Sequence, residues 1–293
     1  MRPVFLGTSE FAAAVLERLA DSPHRPVLVV TRPDRPRGRG RRVTPPPVAE
    51  TAKERELDLY QPESVNDEAA RARIAAADPD LICVCAFGAL IKEPLLSDYE
   101  LLNVHPSLLP RWRGAAPIER AIMAGDAETG VSIMRLTAGL DSGPVCLRAT
   151  EPIEPTDTYG TLSERLERLG GELLVRALAD RPEFADQDET GVTYAEKLGP
   201  DDRRLDPSRP APELERVVRA LTPHVGAFVE LAQGDRLGVR EAAVLEAGPP
   251  AGTLALDGAR PVLGCAAGAL ELVVVQPPGR RAMPGEDYLR GLR

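Results

Sequence analysis

Pro3-Val4-Phe5-Leu6-Gly7-Thr8-Ser9-Glu10-Phe11 sets the grammar of the chain. Pro3 to Leu6 is a short apolar run suited to a buried strand, and Gly7-Thr8-Ser9 closes it as a turn. Ser9 is placed to cap a helix whose apolar side is Phe11, Val15, Leu16 and Leu19. The same order recurs downstream. Val27 to Thr31, Leu81 to Phe87, Leu101 to His105 and Val131 to Leu136 are further strand candidates, with helical segments such as Pro117 to Ala124 between them. Strands alternating with helices predict a parallel sheet covered by helices on both faces, a Rossmann-like α/β domain. A long amphipathic helix is expected at about 158–179, with Leu162, Leu166, Leu169, Leu173 and Ala177 on one stripe.

The composition then changes. Residues 181–212 are rich in Pro, Asp and Arg and carry little apolar periodicity, so a linker is expected there. Beyond it a short helix, Leu214 to Leu221, precedes strand candidates Ala227–Leu231, Arg236–Val244 and Leu270–Val275, with Gly-Pro turns between. A smaller β-rich, OB-like domain, a partly open barrel, is the expectation. The division reads 1–185 for the α/β domain, 186–208 for the linker and 209–293 for the β-rich domain.

At 293 residues, with 36 Lys+Arg against 45 Asp+Glu, the chain carries a net charge of −9. That balance argues against global attraction to nucleic acid, so any RNA contact has to come from a local patch. No apolar run approaches the ~18 residues of a membrane span, and the N-terminal residues lack the apolar stretch of a signal peptide. A cytoplasmic protein is expected. Cys83 and Cys85 sit in one apolar run, and Cys146 and Cys265 are isolated. With three His in the chain, these residues build no zinc spacing, and buried thiols are the expected state.

A doubly wound sheet invites a dinucleotide, but the first strand–helix turn holds one glycine, Gly7, and Glu10 would repel a pyrophosphate. No P-loop pattern occurs either. The chemistry is carried instead by Leu101-Leu102-Asn103-Val104-His105-Pro106-Ser107-Leu108-Leu109-Pro110. Asn103 and His105 are two apart on a strand and so share a face. Pro106 stops the strand, which puts both near its C-terminal end, where open α/β sheets bind ligands. A second element is Ala138-Gly139-Leu140-Asp141-Ser142-Gly143. Alone, the histidine reads as a satisfied turn residue and the aspartate as a turn former. Together, an amide, an imidazole and a carboxylate suit acyl transfer to an amine. The imidazole can take a proton from the attacking amine or donate to the oxyanion, the carboxylate can orient it, and the amide can donate to the oxyanion.

Asn103-Val-His105-Pro-Ser-Leu-Leu-Pro110, Arg111-Trp-Arg-Gly-Ala-Ala-Pro-Ile118 and Gly139-Leu-Asp141-Ser-Gly143 resemble the 10-formyltetrahydrofolate-dependent formyltransferases. Gly7 to Ala13, Pro33 to Pro36, Gln187 to Thr190, Val192 to Leu198 and Gln276 to Met283 extend the resemblance from about residue 3 onward, and bring it nearest to the branch that acts on methionyl initiator tRNA. The resemblance implies that Asn103, His105 and Asp141 are catalytic. It implies that Phe87, Gly88, Ala89, Leu90 and Ile91, with Ser107, Leu108, Leu109 and Pro110, border the folate. The implied co-substrate is 10-formyltetrahydrofolate, without a metal. Thr137 and Pro144 depart from the family pattern around Asp141, and the chain stops at Arg293, where relatives often run a little further.

Residues 32–42 hold six Arg against one Asp inside a net-negative protein. Pro and Gly in this stretch favour a solvated, irregular loop. It also follows the second strand on the expected ligand side, and guanidinium groups bind phosphates and stack on bases. By the resemblance, Arg37, Arg39, Arg41 and Arg42 meet the tRNA acceptor stem, with Arg280 and Arg281 as a second patch. The expected partner is methionyl initiator tRNA and the expected state a monomer. Two alternatives stay open. One is a formyltransferase acting on an amino sugar or another small amine. The other is an RNA-binding module in which the histidine and carboxylate are structural.

Overall fold

A computed structural model describes residues 1–37, 42–231 and 234–292, apart from the side chains of Arg37 and Arg42. The chain forms two compact units that interleave in sequence. The first comprises Met1–Gly114, Thr129–Glu151 and Ser163–Tyr194, and the second Ala115–Glu128, Pro152–Leu162 and Ala195–Arg293.

The first unit is built on a seven-stranded sheet ordered Val145–Pro152, Glu128–Arg135, Leu101–His105, Leu81–Cys85, Pro3–Gly7, Leu28–Val30 and Leu59–Tyr60. The pairs among the last five strands are parallel. Their residues are buried on both faces at the centre, which is why the sequence there reads as continuous apolar runs without alternation. The helix Glu10–Ala20 starts as expected, with the Ser9 side chain accepting from Ala12 N–H and Phe11, Val15, Leu16 and Leu19 buried. Gly7 is there for packing. A Cβ at that position would lie 2.6 Å from Phe5 Cε1 and 2.8 Å from Ala12 Cβ.

The sheet departs from an all-parallel one at Glu128–Arg135, which pairs antiparallel with Leu101–His105 and sets Ser132 opposite His105. The intervening chain leaves the sheet at the C-terminal end of the histidine strand and re-enters at that same end, so its next strand has to run the other way. The stretch 32–42, expected as an irregular loop, contributes regular structure where it is described. Arg35–Arg37 and Arg42–Thr44 form an antiparallel ribbon with Pro36 opposite Val43. Val43 and Thr44 favour extended backbone, and a two-stranded ribbon tolerates the missing N–H of Pro36.

In the second unit the antiparallel sheet runs Ala227–Glu230, Arg236–Leu245, Ala269–Gln276, Val262–Gly264 and Leu254–Ala255, and Met283–Pro284 adds to Ala269–Gln276. Among the described residues its two end strands do not pair, so the sheet stays open. The helix Ala211–Ala220 contributes Leu214, Val217 and Val218 to a core with Leu237, Val239, Leu270 and Leu272. The helix Pro117–Ala124 belongs here too, through Arg216 Nε donating to Met123 O at 3.1 Å and Arg120 donating to both oxygens of Asp202. The Arg120 hydrogen bond holds the Asp202 carboxyl below its ordinary range. Compactness thus draws 115–128 and 152–162 into the second unit, although both precede the expected linker. That linker stretch holds the short strand Tyr194–Ala195 and a turn of 3-10 helix, Asp201–Arg203.

The four cysteines are free, with Cys83, Cys85 and Cys265 buried and Cys146 half-buried. Burial pushes the Cys83 and Cys85 thiols far up, so both stay protonated. Among the described residues no helix is long and apolar enough to cross a membrane.

Candidate active site

The strand Leu101–His105 lies between Leu81–Cys85 and Glu128–Arg135, where Asn103 sits beside Val84 on one side and Met134 on the other. Asn103 and His105 point to one face, as the two-residue period requires, and are only 9% and 4% exposed. Pro106 has no N–H to continue the ladder, and the chain turns at once, with Ser107 N–H donating to His105 O at 2.9 Å.

Ser132, opposite His105, pins this turn. Its hydroxyl donates to Ser107 O at 2.7 Å and accepts from Leu109 N–H at 3.1 Å. The Ser107 hydroxyl donates to Arg111 O at 2.6 Å. Next comes Trp112, with φ +64°. That left-handed residue turns its carbonyl onto His105, whose Nε2 lies 2.9 Å away. A carbonyl only accepts, so this contact requires the ring proton on Nε2.

The other ring nitrogen faces the second motif. His105 Nδ1 lies 3.7 Å from Asp141 Oδ2, and the Asp141 side chain is 14% exposed. The same Oδ2 accepts a hydrogen bond from Gly114 N–H at 2.8 Å. Asp141 sits at φ +43°, in the left-handed region. Gly143 has to be glycine for clearance, because a Cβ there would fall 2.0 Å from Arg135 O. Pro144 is accommodated: its carbonyl joins the sheet by accepting Arg135 N–H at 2.9 Å. A buried imidazole thus stands between a carbonyl and a carboxylate, with an amide on its own strand. That set can move one proton and stabilise one oxyanion.

The segment Phe87–Ile91 follows the neighbouring strand Leu81–Cys85. Phe87 and Ile91 are buried, whereas Gly88, Ala89 and Leu90 are exposed. Three side chains from elsewhere hold its backbone carbonyls. Thr8 Oγ1 donates to Phe87 O at 2.7 Å, Arg32 Nη1 to Gly88 O at 2.8 Å, and Asn66 Nδ2 to Leu90 O at 2.9 Å. Leu109 is buried with Met134 and Val145.

Of the expected RNA contacts, Arg37 and Arg42 face each other across the ribbon as backbone partners. Arg39 and Arg41 lie outside the described residues. Arg280 and Arg281 are exposed in the second unit, and Gln276 Nε2 donates to Arg280 O at 3.0 Å.

Residues 1–178 match the formyl transferase family model, and residues 197–293 match its C-terminal domain. The family match over both parts of the chain makes it a formyltransferase. The chain is 45% identical over 305 residues to a methionyl-tRNA formyltransferase of Halorhodospira halophila, covering 100% of this chain and 96% of the relative. It is 44% identical over 297 residues to that of Methylococcus capsulatus, covering 99% and 96%. It belongs to the methionyl-tRNA formyltransferase family. Among solved structures, HypX from Aquifex aeolicus in complex with tetrahydrofolic acid has the same fold, with a TM-score of 0.64 at 19% identity over 99% of this chain and 47% of that one.

Several residues around the site had no role in the sequence reading. Trp112 orients His105 through a carbonyl, so nothing in its side-chain type advertises the part it plays. Ser132 lies inside an apolar strand and is fully buried; a lone serine in such a run is the one signal that pointed to it. Arg113 and Gln187, both buried, lie in Arg111–Ile118 and Gln187–Thr190, stretches that carry the resemblance without marking a role for either residue.

Proposed function

We propose that Asn103, His105 and Asp141 catalyse transfer of the formyl group of 10-formyltetrahydrofolate to the α-amino group of methionyl initiator tRNA. The observation that carries this reading is the buried imidazole at the strand end, with Nδ1 3.7 Å from Asp141 Oδ2 and Nε2 on a backbone carbonyl. The free amine attacks the formyl carbon and forms the new C–N bond. His105 takes the proton the nitrogen sheds, and Asp141 offsets the charge on the ring. The Asn103 amide donates to the oxyanion as it develops. Collapse breaks the bond to folate N10, which receives the proton, and leaves N-formyl-methionyl-tRNA and tetrahydrofolate.

Phe87, Gly88, Ala89, Leu90 and Ile91 receive the pterin, and Ser107, Leu108, Leu109 and Pro110 close the other side of the folate site. A backbone reader needs a fixed backbone, and the bonds from Thr8, Arg32 and Asn66 to that loop's carbonyls support this assignment. Arg37, Arg39, Arg41, Arg42, Arg280 and Arg281 bind the tRNA. The protein works as a monomer in the cytoplasm, and 1–185, 186–208 and 209–293 are its catalytic, linking and RNA-binding parts.

Replacing Arg39, Arg41 and Arg42 together with Ala tests the RNA part. Charged-tRNA binding should weaken and its salt dependence flatten, by analogy with a slope change of about 0.9 per lost phosphate contact on B-DNA. Folate binding at a single salt concentration should not change. An unchanged tRNA affinity and salt slope would contradict the assignment and favour a small-amine substrate.

A further inference from the structure

Asp141 is held in a left-handed backbone conformation that a non-glycine residue keeps only when its surroundings enforce it. Gln187 is bonded to that stretch of backbone. Its Nε2 donates to Asp141 O at 2.8 Å and to Gly143 O at 2.7 Å. Its Oε1 accepts from Arg113 Nε at 3.0 Å and from Arg113 Nη2 at 2.9 Å. The partners fix the orientation of the amide. Reversed, it would set an oxygen against two carbonyls and an NH2 against a guanidinium. Gln187 is 8% exposed and Arg113 4%, so water is a poor substitute for any of the four bonds.

The other end of the network returns to the same aspartate. Gly114, which follows Arg113, gives its N–H to Asp141 Oδ2 at 2.8 Å. One side chain therefore ties the backbone that carries Asp141 to the residue pair whose amide aims its carboxylate. We propose that Gln187, acting with Arg113, is a positioning residue for Asp141: it sets the distance and direction of the carboxylate from His105 without touching substrate. This rests on the catalytic reading of Asp141.

Gln187→Glu separates the two halves of the network. The variant is nearly isosteric and keeps an acceptor for Arg113, but it presents carboxylate oxygen to the carbonyls of Asp141 and Gly143. Gln187→Met removes the donors without adding charge. Formyl transfer to charged initiator tRNA is measured for both variants, for Asp141→Asn and for the double variants. Rates are expressed per folate-binding site, so that only folded enzyme is counted. A misplaced carboxylate should lower kcat about 10-fold or more in either Gln187 variant, with KM for 10-formyltetrahydrofolate within about twofold. In the Asp141→Asn background the same substitutions should cost less than about twofold, since there is no carboxylate left to place.

Losses that multiply in the double variants would overturn the proposal, because Gln187 would then act on something other than Asp141. A lower melting temperature with unchanged kcat per site would overturn it too, leaving Gln187 as structural only. A normal rate in Asp141→Asn alone would instead remove the catalytic reading of Asp141, which is a separate failure.

Discussion

The corner around His105 and the loop Phe87–Ile91 stand at the ends of adjacent parallel strands, yet they are built in opposite ways. At the corner the side chains proposed to carry the chemistry are buried, and backbone atoms hold them: Trp112 O on His105 and Gly114 N–H on Asp141. In the loop the backbone is the proposed working part, and side chains of Thr8, Arg32 and Asn66 hold it from outside. The difference teaches where substitutions should hurt. Changing the corner's own side chains should stop the reaction, whereas the loop should be more sensitive to its clamps than to its own exposed residues.

The sharpest contrast is His105→Ala. Loss of a group that handles a proton in the transition state typically costs 10²–10⁴-fold, so turnover should fall at least about 10²-fold. Folate binding should persist, because the imidazole lies at a strand end outside the Phe87–Ile91 loop. Near-normal turnover in the folded variant would dissolve the contrast from the corner's side.

The loop offers a smaller and differently shaped effect. Thr8→Val keeps the volume of the side chain but leaves Phe87 O without its 2.7 Å donor. One net hydrogen bond is worth about 1 kcal/mol, so the KM for 10-formyltetrahydrofolate should rise several-fold with little change in kcat. Leu90→Ala, at a side chain 70% exposed, should change neither by more than about twofold. A larger effect from Leu90 than from Thr8 would mean that the loop reads its ligand through side chains.

The same contrast explains what the sequence could reveal. Leu101–His105 and Leu81–Cys85 are legible because central parallel strands are apolar on both faces, and Asn103 and His105 stand out as polar exceptions in such a run. Ser9 and the stripe Phe11, Val15, Leu16 and Leu19 announce the first helix by local chemistry alone. Val145–Pro152 is hidden because it is a partly exposed edge strand with mixed composition. Membership of 115–128 in the second unit depends on partners such as Asp202 and Arg216, some eighty to a hundred residues away, and no local pattern encodes that. Gln187 is the extreme case. All four of its side-chain hydrogen bonds are long-range: two go to backbone carbonyls, which every residue possesses, and two to an arginine side chain.

The central claim is that this corner formylates an aminoacyl-tRNA. Its most direct test is to incubate the purified chain with 10-formyltetrahydrofolate and methionyl initiator tRNA, and in parallel with amino sugars and free methionine, and to follow tetrahydrofolate release together with the formylated product. Stoichiometric N-formyl-methionyl-tRNA, with no comparable turnover of the small amines, is the expected result. Turnover of a small amine with the charged tRNA left unmodified would contradict the account.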